Sequence, residues 1–198
     1  ASSLANQYTF VLFCFYYGLA IGTSVLCAQY WGKGDHQTVE RILGLATKIV
    51  LLISLLFFVV SFFFPEYIMH LFTNSPETIE EGVTYLRVLS FSFVFMGFAQ
   101  IFVSALRSVG KVVFPSVIYV VSLLVNVFLN ATFIFGLFGA PKLGVVGVAL
   151  GTVTARAVEA VLCLIYSAGS KEIRFRVETM FQRSGVLFKD FLKISAPS

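Results

Sequence analysis

The sequence predicts an all-α integral membrane protein, a helical bundle, on three observations. Its 198 residues are 58% hydrophobic and 12% charged, about half the charge fraction of a soluble domain. Mean hydropathy is +0.91. Apolar runs of about 20 residues recur between short polar breaks, the length an α-helix needs to cross a bilayer; barrel strands would be about half as long and would alternate.

Five complete spans are expected. The first runs from Tyr8 to Trp31, with Gly18 and Gly22 as a small-xxx-small pair, and the break WGKGDHQTVER ends it. The second covers Ile42 to Phe64 and stops at Pro65. A short interfacial turn follows, in which Ser75 fits an N-cap, Pro76 the first helical position and Glu77 the positive end of the dipole. The third span is Val83 to Leu106, with Gln100 and Ser104 a polar pair one turn apart. RSVGK then turns the chain into the fourth span, Val112 to Phe135, and a glycine-rich break leads to the fifth, Gly144 to Ala168. Residues 1–168 thus read as the membrane bundle. Residues 169–193 read as a basic, amphipathic cytoplasmic segment lying on the membrane surface, and 194–198 as the start of a further span.

The basic residues give orientation. Lys33, Arg41, Arg107, Lys111 and the basic segment from Lys171 to Lys193 share one side, and the opposite loops offer Lys142 with Glu66, Glu77, Glu80 and Glu81. The positive-inside rule makes the first side cytoplasmic and places Ala1 outside, in the cell (plasma or inner) membrane. An outside start with no signal peptide and no initial Met leads us to expect a fragment with one more helix before Ala1.

The net charge of +4 follows from this topology rather than from nucleic-acid binding, since the basic residues form no motif with aromatics. Cys14, Cys27 and Cys163 sit in separate apolar runs without a CxxC, so they read as small core residues rather than a disulfide or metal framework. His36 and His70 are far apart and read as surface or interface side chains. No nucleophile, base or metal cluster converges, so an enzyme is not expected, and neither is an organic cofactor.

Chemistry concentrates between Pro115 and Glu159. Pro115, Tyr119, Ser122, Asn126 and Asn130 recur at steps of three and four, which places them on one helical face. Carboxamides inside a bilayer need a protein or water-filled partner, so this stripe should face inward. Gly147, Gly151 and Ala155 form a small-residue row on the next span that could receive it. Asn126 and Asn130 read equally well as half of a cation or proton site and as packing hydrogen bonds. Arg156 and Glu159, three apart, can pair directly, as an interior structural ion pair or as a gating element. Thr152 shares their face and either lines the same cavity or bonds back to its own helix. Tyr16, Tyr17 and Tyr119 could offer π-faces to a flat or cationic ligand, although most membrane aromatics simply meet lipid.

Five stretches in order resemble the MATE (multidrug and toxic compound extrusion) family: AQYWGKGD after the first span, YLRVLS, LRSVGK, NVFLNATFIFG and PKLGVVGVALGTVTAR. The resemblance implies a twelve-helix transporter of two six-helix lobes around a central cavity, with a proton or Na⁺ gradient driving drug efflux. The chain would supply helices two to six of the first lobe, the interlobe linker and the start of helix seven. It implies cation-coupling roles for Asn126, Asn130 and Thr152; the aromatic faces and the polar stripe, read from the residues themselves, place the expected substrate cavity near Tyr16, Tyr17, Tyr119 and Ser122. The acidic residue of the family's first helix has no match here, and Asn130 stands where some members carry Asp. The expected function is therefore a secondary antiporter exporting organic cations, with the lipid bilayer and the remaining helices as partners. The alternatives are a lipid-linked sugar flippase of the same wider superfamily and a non-transporting structural subunit.

Overall fold

A computed structural model describes residues 2–136, 141–170, 173, 175 and 179. Among them are seven helices: α1 (Ser2–Gly32), α2 (His36–Phe63), α3 (Pro65–His70), α4 (Pro76–Ser90), α5 (Ser92–Ser108), α6 (Val113–Phe135) and α7 (Gly144–Gly169). Four are long and apolar enough to cross a membrane, and five spans result if α4 and α5 count as one bent span. The chain is a multi-pass membrane protein.

The expected third span differs from the structure in shape. Its helix starts seven residues early, at Pro76, and breaks at Phe91, so that α4 and α5 meet at 48°. Serine hydroxyls account for the break: Ser90 Oγ donates to the Arg87 carbonyl and Ser92 Oγ to the Leu89 carbonyl, each at 2.7 Å. Phe91 N–H turns to Val88 O, and the regular i to i−4 ladder is lost at this point. The polar turn after α2 contains the six-residue helix α3. Ser75 does occupy the N-cap of α4, but its side chain caps no backbone N–H and instead accepts from Thr78 Oγ1. At α2 the cap is made by Asp35, which accepts from Thr38 N–H, so that helix begins at His36, ahead of the apolar run.

Helix α5 is the hub, packing on α1, α2 and α7. At its first turn the Tyr16 hydroxyl lies 2.6 Å from Ser54 Oγ and donates to the Phe93 carbonyl at 3.0 Å, tying three helices together. Gly97 permits the close approach: a Cβ there would lie 2.8 Å from Ser54 Oγ and 3.2 Å from Tyr16 Cζ. Ser104 Oγ reaches the Ala20 carbonyl on α1 at 2.8 Å rather than Gln100. Cys27 and Cys163 are buried, but Cys14 is exposed on the outward face of α1 between Phe13 and Phe15, so it is not a core residue. His36 is exposed and packs edge-on against Trp31.

Helices α6 and α7 form an antiparallel hairpin at one edge of the bundle; α6 packs mainly on α7, which in turn packs on α5. Gly136, at φ 72°, caps α6 in the left-handed region. The segment expected at 169–193 is described only at Gly169, Ser170, Ile173, Phe175 and Thr179, and that expected at 194–198 lies outside the described residues. Of the described ones, Ile173 is fully buried. The Phe175 ring meets Phe98 edge-on at 5.2 Å, and Thr179 approaches Gly44 on α2.

Candidate functional site in the groove between α6 and α7

The polar stripe of α6 meets the small-residue row of α7 along the hairpin seam. A Cβ at Gly147 would lie 2.5 Å from Phe133 Cβ, and one at Gly151 would collide with Asn130 Oδ1. Ser122 Oγ donates to the Ala155 carbonyl at 3.3 Å. Each small residue of α7 thus receives a side chain of α6, which is how spaced glycines let backbones approach inside a bilayer. Pro115 fits because it stands in the first turn of α6, where a missing N–H leaves no bond unmade.

A hydrogen-bonded file runs through this seam. Asn130 Nδ2 donates to Asn126 Oδ1 at 3.1 Å, Asn126 Nδ2 to Thr152 Oγ1 at 3.3 Å, and Thr152 Oγ1 to the Val148 carbonyl at 3.0 Å. The order has a physical cause. Thr152 gives its single proton to its own helix, which leaves lone pairs for Asn126 and turns the Asn126 oxygen toward Asn130. Thr152 therefore bonds to its own helix and also serves the seam. Asn130 Oδ1, buried beside Gly151, accepts no hydrogen bond. The file offers three oxygens, Asn130 Oδ1, Asn126 Oδ1 and Thr152 Oγ1, and no carboxylate. Hard cations favour such oxygens, but this set supplies no charge to compensate one.

Below the file the seam opens into a groove of about 240 Å³ lined by Tyr119, Ser122, Leu123, Asn126, Thr152, Ala155 and Arg156. Arg156 Nη1 donates to Glu159 Oε2 at 2.7 Å. The pair is unequal in exposure: the Glu159 side chain is 12% exposed and that of Arg156 36%. The carboxylate is therefore interior, while the guanidinium faces the groove.

The structure brings Asn126, Thr152, Tyr119, Ser122 and Arg156 to one surface, with Asn130 and Glu159 immediately behind it. It does not bring Tyr16 or Tyr17 there. Tyr16 is fully buried with its hydroxyl engaged, so neither a ring face nor its polar end is open to a ligand. Tyr17 is exposed on the other side of α1 and stacks on Phe13 at 6.2 Å. Ala155, expected in the receiving row of α7, lines the groove; sequence reasoning missed Leu123, which was findable because it lies four residues from Tyr119 and three from Asn126, on the face already identified.

The family model described as MatE matches residues 1–132. The "Probable multidrug resistance protein YoeA" of Bacillus subtilis is 27% identical over 157 residues, which cover 79% of this chain and 34% of that protein. A "Probable multidrug resistance protein NorM" of Bradyrhizobium diazoefficiens is 33% identical over 153 residues, 77% of this chain and 32% of its own. The chain thus spans about a third of the length of these curated relatives. Among solved structures, one described as the outward-facing conformation of a multidrug resistance MATE family transporter of the MOP superfamily aligns with a TM-score of 0.86. It is 19% identical and covers 98% of this chain and 42% of that one. The corresponding inward-facing structure aligns at 0.82, with 20% identity, 93% of this chain and 41% of that one. At these identities the agreement is one of fold.

Proposed function

The chain belongs to the MATE family, and from that premise we propose that it forms most of one lobe of a secondary antiporter that exports organic cations or drugs from the cytoplasm. A proton or sodium gradient drives the export, and Asn126, Asn130 and Thr152 contribute to the coupling site. The observation that carries this reading is the hydrogen-bonded file ending in a groove: three polar side chains converge across a seam between two membrane helices and open onto a space of about 240 Å³. Intramembrane polar residues gathered at a cavity mark ion or substrate paths. The family consists of transporters, not enzymes.

Arg156 in the groove wall is the feature that would favour a flippase carrying an anionic lipid headgroup. Its ion pair with Glu159 neutralises it, however, and a neutral, partly aromatic groove suits a cation better. The test is transport by the full-length protein in vesicles. Ethidium efflux that follows an imposed proton or sodium gradient supports the proposal; movement of a fluorescent lipid-linked sugar without ethidium efflux would replace it with the flippase reading.

A further inference from the structure

The groove contains a charge that the Asn130–Asn126–Thr152 file does not use. Arg156 lies one turn beyond Thr152 and lines the same space, with the Glu159 carboxylate held behind it at 2.7 Å. The other acidic side chains among the described residues are Asp35, Glu40, Glu66, Glu77, Glu80 and Glu81. All of them lie in loops, in the short helix α3 or in the opening turns of α2 and α4. Glu159 alone among the described residues is a carboxylate in the middle of a membrane span, and Asn130 leaves the oxygen file without one.

The charges around Glu159 are few. On α7 it meets Arg156 and, one turn on, the buried Cys163. Helix α6 carries no charged residue and brings Tyr119 to the groove. Helix α5 carries Arg107 alone, in its last turn. Helix α4 carries Glu77, Glu80, Glu81, Tyr85 and Arg87; Glu80 and Glu81 meet α7 beside Leu143 and Val145, about four turns from Glu159.

We propose that Glu159 is the proton-accepting group that sets the affinity of the groove for a cation, and that Arg156 is the charge it masks. The proposal rests on the transport reading above and names its coupling group. A hydronium ion gives its proton to the Glu159 carboxylate, one O–H bond breaking in the hydronium and one forming on Glu159 with water released, while the guanidinium keeps its own proton, since Arg does not deprotonate in proteins. The pair passes from zero net charge to +1 at the groove wall, and the hydrogen bond between them keeps its ionised donor but loses the negative charge of its acceptor. A cation in the groove is then repelled, so proton and cation exclude each other at one surface. That mutual exclusion is the linkage an exchanger needs.

The experiment is ethidium binding to the purified full-length transporter in detergent, at neutral and acid pH. Wild type should lose affinity about 10- to 100-fold on acidification, the range of a unit charge acting at a partly screened contact. Glu159→Gln leaves Arg156 unmasked and should bind weakly with no pH dependence. The double variant Arg156→Met with Glu159→Leu leaves no charge unpaired; it should bind independently of pH, and it supplies the same test if Glu159→Gln does not fold. Either variant keeping the wild-type pH dependence overturns the proposal, as does a wild type that binds ethidium equally at both pH values. A wild type that binds no ethidium at any pH removes the transport reading, and this proposal with it.

Discussion

Asn126 Nδ2 donates to Thr152 Oγ1 at 3.3 Å across the seam between α6 and α7. The two residues are 26 apart in sequence, and their bond joins the polar stripe of one membrane helix to the small-residue row of the next. An interhelical hydrogen bond in a membrane protein is worth on average about 0.6 kcal/mol, too little to hold the hairpin together. Its consequence is orientation: it fixes which way the Asn126 carboxamide points, and through that the position of Asn130.

Gly151 makes the position of Asn130 possible, because a Cβ there would occupy the place of Asn130 Oδ1. Gly151→Ala should therefore displace the carboxamide and destabilise the protein by about 1–3 kcal/mol, the usual range for overpacking. Adding Asn130→Ala removes the collision, so the double variant should unfold at a higher temperature than Gly151→Ala alone. Additive losses would show that the two residues do not share this contact.

Tyr16 is a core hydrogen-bonding residue. Tyr16→Phe removes its hydroxyl from Ser54 and the Phe93 carbonyl and should cost about 1 kcal/mol, with no change in ethidium affinity. Ser54→Ala should overlap with it in a double-mutant cycle of thermal stability. Altered affinity in a well-folded Tyr16→Phe protein would place Tyr16 at the ligand.

The Asp35 carboxyl is held below the usual carboxylate range, first by the Thr38 hydroxyl and then by the Thr38 N–H. A folded value below the unfolded one means that its contribution is present at neutral pH and is lost as pH falls from about 4 downward through the folded value. Thermal melts over that range should show a smaller acid loss for Asp35→Asn than for wild type. Superimposable curves would show that the cap does not titrate with folding.

Orientation can be read by labelling. A cysteine replacing Asp35, on a background lacking Cys14, Cys27 and Cys163, should be protected from an impermeant thiol reagent in intact cells, and one replacing Asn74 should react. The reverse pattern would invert the topology.

The spans were legible because length and hydropathy decide them. The boundaries of α6 and α7 agree with those expected to within one residue. The α4–α5 bend was not read, since hydropathy runs unbroken through Ser90, Phe91 and Ser92; its signal is the two serines, whose hydroxyls compete for the backbone carbonyls. At the site, helical spacing placed Asn126, Asn130, Ser122 and Tyr119 on one face, and the small row on α7 marked the receiving surface. Periodicity says which residues share a face but not which face meets which neighbour. For that reason Tyr16 could not be told from a ligand-facing aromatic, nor could the groove-facing side of Arg156 be seen.

The central claim is that the Asn126 file serves coupling rather than packing, and the direct measurement is gradient-driven ethidium efflux by full-length Asn126→Ala protein, alongside its melting temperature. The account predicts that efflux falls at least about tenfold, an effect of about 1.4 kcal/mol, while the melting temperature stays near wild type. Asn130→Asp should keep efflux and shift its pH dependence. Wild-type efflux from a folded Asn126→Ala protein would contradict the site, as would losses of efflux and stability in parallel for both Asn126→Ala and Asn126→Leu.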